Sequence, residues 1–213
     1  MKKIILLAFA ALSLTAMAQH VTPVSIEVAE VKLDSLRALY ISEPMMYRTA
    51  LDVVARDLAK NADELKAAKN ELKVEQAHAK EIESSIKDAQ KMAASLKKLY
   101  SKEESEIKSM QKTVEKQQKT LNKHKELNQE TRESYLNLLE KQQKELGYSV
   151  REVAERLHAV SDLETTLQNA QTNLQAYVQE TQQKALKLTE IEALIKERTT
   201  VIKAEQKSAK SMQ

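Results

Sequence analysis

The chain contains no cysteine and no tryptophan, a single glycine, Gly147, two prolines, Pro23 and Pro44, and one phenylalanine, Phe9. Each scarcity closes off a class of structure. Without cysteine there is no disulfide framework, no thiolate nucleophile or metal ligand, and no residue to carry an acyl anchor. Phosphate-cradling loops of the P-loop and Rossmann kinds need several glycines close together, so one glycine excludes them. The same shortage of glycine and proline leaves 213 residues almost no turn chemistry with which to fold a compact domain.

Long apolar runs are also missing, apart from Ile4 to Leu14. That run follows Met1-Lys2-Lys3, is too short to span a bilayer, and ends in Ala16-Met17-Ala18, small residues at cleavage spacing. Residues 1–18 therefore read as a secretory signal peptide cut after Ala18. Signal peptides this short are like those of Gram-negative bacteria, so the expected location is periplasmic, or secreted beyond it, with no transmembrane segment after cleavage. Without Lys2 and Lys3 the 34 basic residues become 32 against 31 acidic ones, a net charge of +1. That balance gives no long-range attraction to nucleic acid or to an anionic membrane.

What the chain does have is period. Leu51, Leu58, Leu65, Leu72, Ala79, Ile86, Ala93, Tyr100, Ile107, Val114, Leu121, Asn128 and Tyr135 stand seven residues apart. A stripe of that spacing, in a composition rich in Glu, Lys, Gln, Ala and Leu, predicts a coiled coil. Taking that stripe as position a, position d is gapped: Val54, Ala68, Ile82, Ala89, Leu96, Met110 and Leu138 are apolar, whereas Asn61, Glu75, Glu103, Gln117, His124 and Thr131 are polar. A second register holds Leu146, Val153, Val160, Leu167, Leu174, Thr181, Leu188, Ile195 and Ile202. The step from Tyr135 to Leu146 is seven plus four, a stutter that unwinds a coiled coil locally, and Gly147 lies beside it.

The predicted fold is all-α: a long coiled-coil helix or an antiparallel helical hairpin over residues 44–205, followed by a polar tail, 206–213. A continuous helix needs another chain to cover its stripe and so makes a homo-oligomer. A hairpin covers it within one chain, with the polar stretch His124 to Thr131 as its tip and a midpoint near Glu126. Because Leu121, Asn128 and Tyr135 stay in phase without glycine or proline, the sequence favours the continuous helix. In that reading Asn128, alone polar in the a stripe, is the candidate for setting register. Ahead of this region, residues 19–43 form a short segment of their own. Val24, Ile26 and Val28 alternate with Ser25 and Glu27 as in a strand, Asp34 is placed to cap a short helix holding Leu36, Leu39 and Tyr40, and Ser42-Glu43-Pro44 is a helix start.

No grouping of residues has the form of an active site, and neither a cofactor nor a metal is expected. His20, His78, His124 and His158 are too dispersed for a local metal site. His158, Ser161 and Asp162 share a helix surface with no cleft around it, unlike a catalytic trio. His124 would meet the seam of a continuous coil and loosen it on protonation. Lys108, Lys112, Lys116, Lys119, Lys123 and Lys125 against the single acid Glu115 make a basic face suited to an anionic envelope component. It has no interleaved aromatics on which single-stranded nucleic acid would stack.

The expected function is that of a non-enzymatic structural or interaction protein of the cell envelope, scaffolding or bridging other components. From Val24 to Leu33, then Asp34-Ser35-Leu36, Glu43-Pro44, Tyr47 and Ala50, the order of a short strand leading into a long helix is similar to the Skp-like periplasmic chaperones. That resemblance covers residues 24–58 and implies a strand-built trimeric body with helical arms that hold unfolded outer-membrane proteins. The family's C-terminal strands have no counterpart in this sequence. An adaptor or regulator of a cell-wall enzyme is a further alternative.

Overall fold

The computed structural model describes residues 21–124 and 128–211, and it is all-helical apart from an extended N-terminal stretch. Residues 1–18, expected to be a signal peptide, lie outside the described residues, as do His20, Lys125 and Glu126. Helix α1 is Leu33–Ser42, α2 is Pro44–Lys123 and α3 is Gln129–Ser211. No strand occurs among the described residues, and none of the helices there is long and apolar enough to cross a membrane.

The helix boundaries differ from the sequence expectations in ways that backbone chemistry explains. Asp34 lies in the first turn of α1, where its charge suits the helix dipole, and Lys32 rather than Asp34 occupies the cap position. Ser42 closes α1 instead of opening α2, its hydroxyl donating back to the Ala38 carbonyl at 3.2 Å. Glu43 is a one-residue joint. Its N–H donates to the Leu39 carbonyl at 2.7 Å and its own carbonyl accepts from Tyr47 N–H at 3.1 Å, with Pro44 at the first helical position where no N–H is needed.

The continuous helix is overturned: α2 stops at Lys123 and a new helix starts at Gln129. Asn128 is an exposed N-cap, not a buried register residue. Its side-chain oxygen accepts the Glu130 N–H at 3.2 Å and its carbonyl accepts the Arg132 N–H at 3.0 Å. Arg132 reaches back to the orphan carbonyl of Asn122 at 3.0 Å, satisfying the end of α2. Heptad phase carried straight through because an in-phase residue and a capping residue can be the same Asn. At the other end, α3 runs through the expected polar tail to Ser211, and Ala209 is buried.

The chain forms two compact units. In the unit Ile82–Asn173, the later part of α2 and the earlier part of α3 pair antiparallel. Gln90 meets Gln171 at 3.0 Å, Lys97 meets Glu164 at 2.7 Å, and Gln118 meets Gln143 at 3.2 Å, stepping up one helix as they step down the other. Ala89, Ala93, Val160, Leu163 and Leu167 form its buried core, the two alanines letting the helices approach closely.

The second unit, residues 21–81 and 174–211, pairs the start of α2 with the end of α3 and adds α1 and the extended stretch 21–32. One buried cluster joins Leu36, Tyr47, Leu51, Leu58, Ile202 and Ala209; another joins Leu65, Leu72, Leu188 and Ile195. At roughly 1.5–3 kcal/mol per fully buried side chain of this size, these stripes supply most of what holds the pair together.

Candidate functional site

The most elaborately built polar arrangement is the groove between α2 and α3 in the second unit, where residues 21–32 lie as an extended strap. Two-residue alternation is present as expected, with Val24, Ile26 and Val28 half-buried and Ser25 and Glu27 exposed. The stretch is not a strand, because among the described residues no second strand pairs with it. Side chains take the place of a ladder. Asn61 accepts the Ala29 N–H at 2.9 Å through Oδ1 and donates through Nδ2 to the Glu27 carbonyl at 3.0 Å. From the facing helix, Arg198 Nη1 donates to the carbonyls of Val28 and Ala29 at 2.8 and 2.6 Å. Further along, Glu75 accepts the Thr22 N–H at 3.1 Å, while Lys184 donates to both its carboxylate oxygens at 2.9 and 3.0 Å.

These contacts have a common measure. Thr22 to Ala29 is seven residues of extended chain, about 23 Å. Glu75 back to Asn61 is fourteen helical residues, about 21 Å. One stretch of strap therefore runs along two heptads of α2 in near register. Below it, Val24, Ile26 and Val28 pack onto the floor made by Leu65, Leu72, Leu188 and Ile195. The groove holds the strap's backbone by hydrogen bonds and its alternate side chains by apolar contact.

Asn61 and Lys184 are buried despite their polarity, which a groove tolerates only when such groups are paired. The Lys184 and Glu75 side chains retain 4% and 12% of their exposure, so the pair depends on its good geometry to offset desolvation. Neighbouring Tyr177 has its hydroxyl pushed above its ordinary value by burial and by the negative charges of Glu75 and Glu180.

A second network ties α1 to α3. Tyr47 donates to Glu205 Oε2 at 2.7 Å, and Arg37 donates to Oε1 through Nη2 and Nε at 2.6 and 3.2 Å. The Tyr40 ring meets Tyr47 edge-on at 5.3 Å. Burial and the hydrogen bond to Glu205 push the Tyr47 hydroxyl up to about 12, and the bonds from Arg37 and Tyr47 hold the Glu205 carboxyl below the usual range.

Leu51, Leu58, Leu65, Leu72, Leu174, Leu188, Ile195 and Ile202 are buried in this unit, and Ile86, Val114, Val153, Val160 and Leu167 in the other. Ile107, Leu121 and Leu146 are half-buried, and Tyr135, at 54% exposure, stands open. Asn61, Glu75, Lys184 and Arg198 were missed as binding residues. Their signal was present as the gaps in the d stripe, since Asn61 and Glu75 stand there two heptads apart. His158 meets Asp162 at 3.0 Å on an open helix surface, and His124 is exposed just past the end of α2. Lys112, Lys116, Lys119 and Lys123 are exposed, and Lys108 pairs with Glu104 at 2.7 Å. Among the described residues no cluster of metal-binding side chains occurs. Compared with known proteins, the chain matches no family model, no curated protein and no solved structure.

Proposed function

We propose that this is a non-enzymatic, exported coiled-coil protein of the periplasm that scaffolds or bridges cell-envelope components, using grooves along its helix pairs to hold other polypeptides. The observation that carries the reading is the bonding of the strap. A helix pair whose polar d residues grip an extended backbone, through Asn61, Glu75 and Arg198, has the chemistry of a polypeptide-binding surface. Backbone contacts give affinity with little dependence on sequence, and the apolar floor selects for alternating side chains.

The polar groups of the second unit that are most buried are occupied in holding the fold, which supports a structural rather than a catalytic role. Signal cleavage after Ala18 and a periplasmic location belong to this proposal, as does self-association through residual apolar surface.

A holdase of the kind implied by the Skp-like resemblance is the second reading. It is favoured by one observation, the exposure of Met110, Tyr135 and Leu138 at more than half of their surface, which suits weak capture of unfolded chains. In-cell cross-linking followed by affinity purification of a C-terminally tagged protein separates the two. One or two fixed envelope partners are expected. Recovery of a broad set of outer-membrane proteins in transit would instead establish the holdase.

A further inference from the structure

We infer that the groove between α2 and α3 in the unit Ile82–Asn173, from Glu103 to Gln117, binds an extended segment of a partner polypeptide, apolar at alternate positions, as the strap is bound in the other unit. The inference rests on the interaction-protein reading and names the class of partner at one surface.

It follows from a repeat in the rungs that cross the two helices. In the strapped unit the polar rungs are Asn61 with Arg198 and Glu75 with Lys184, fourteen residues apart on each helix. Two heptads beyond, the rung is Ala89 with Ala170, both buried and apolar. The next two rungs at the same spacing are Glu103 with Arg156 and Gln117 with Gln142, polar again. Between them the floor is conserved in character: where Leu65, Leu72, Leu188 and Ile195 stand in one unit, Ile107, Val114, Leu146 and Val153 stand at equivalent positions in the other.

Across the helices Glu103 and Arg156 pair at 3.6 Å, looser than Glu75 and Lys184, while Arg156 Nη2 is held by Glu152 of its own helix at 2.6 Å and its buried Nε has no hydrogen-bond partner among the described residues. Its guanidinium lies over the Tyr100 ring, 5.8 Å from the centroid, which fixes its plane. Arg198, the residue at the corresponding heptad position, donates to two strap carbonyls. Beside the floor runs an open cavity of about 520 Å³ lined by Met110, Thr113, Val114, Gln142, Leu146 and Ser149, and Met110 is 56% exposed there. An eight-residue extended segment spans the fourteen helical residues between the rungs, as the strap does.

The test uses the full chain, with its own strap in place, and a synthetic peptide of the sequence of residues 21–32 bearing a photo-reactive group at the position of Ile26. Saturable binding is expected, with cross-links mapping to residues 103–117 and 142–156. A peptide of the same composition with its apolar residues clustered should not bind. Met110→Lys, an exposed position whose change spares the core, should weaken binding about tenfold with an unchanged melting temperature. Cross-links confined to residues 61–75 and 184–198 would mean exchange with the strap alone and overturn the inference, as would the absence of saturable binding. Concentration-dependent dimerisation that hides Met110 would assign the groove to a second copy and overturn it too. In-cell capture of fixed partners is read independently, so loss of this groove leaves the interaction-protein reading standing.

Discussion

Single side chains carry the polar work of this protein, and Asn61 shows how. An amide offers a donor and an acceptor on one rigid plane, so Asn61 can serve an N–H and a carbonyl two residues apart on the same extended chain. Asn61→Leu should remove both bonds and leave two strap groups unpaired, costing about 1–3 kcal/mol. Hydrogen exchange at the Ala29 amide reports it directly, rising in Asn61→Leu but much less in Asn61→Asp, which keeps the acceptor. At the other end of the unit, the Tyr47 and Glu205 pair makes stability depend on pH in two windows. Glu205 has a folded pKa below its unfolded value near 4.3, so its contribution is present above that value and is lost as pH falls through the folded pKa. Tyr47 is raised to about 12, so its contribution is full below about 10 and is lost as pH rises toward 12. Tyr47→Phe should flatten the alkaline window, lessen the acid one and cost about 1 kcal/mol at neutral pH, measured by urea unfolding.

For the helices as elements, boundaries decide more than propensity does. Because Asn128 lies outside the helical interior, a proline there should cost only the lost cap, about 1 kcal/mol, whereas Ala94→Pro in the interior of α2 should cost about 3 kcal/mol or more. Melting temperatures of the two variants check this, and equal losses would mean that the break between Lys123 and Gln129 does not exist in solution. Gly147 lies within α3 in ordinary helical conformation, with open space where a Cβ would stand. Gly147→Ala should therefore raise stability by about 1 kcal/mol, and a loss instead would mark the position as a hinge. Along the same helix the expected stutter is absent: Arg132, Leu136, Leu139, Gln143 and Leu146 are half-buried at three- and four-residue steps, so the second register begins with α3 itself, and Tyr135 and Leu138 are exposed because they lie off that face.

At the scale of the whole molecule, the strap is the part whose removal is most informative. A chain beginning at Leu33 lacks the half-buried Val24, Ile26 and Val28, each worth roughly 1 kcal/mol on the floor of the groove, and leaves Asn61 and Glu75 without their backbone partners. Such a chain should remain helical by circular dichroism, bind a hydrophobic dye and melt several degrees lower. If dye binding stays at the level of the intact chain, the groove is not held by the strap. Much of this architecture was legible in the residues. The absence of cysteine and the shortage of glycine excluded whole fold classes, and seven-residue spacing marked Leu51 to Ile202 as stripes to be buried. Alternation in Val24, Ile26 and Val28 marked an extended segment. Those properties are local, since period and propensity depend only on near neighbours along the chain. What only the tertiary structure decided is what each stripe and gap faces: that α2 ends at Lys123 and Asn128 caps a separate α3 that pairs back against it, and that Asn61 and Glu75 hold a strap. Partner choice depends on groups distant in sequence, such as Arg198 above Ala29, and no local pattern encodes a contact across 169 residues.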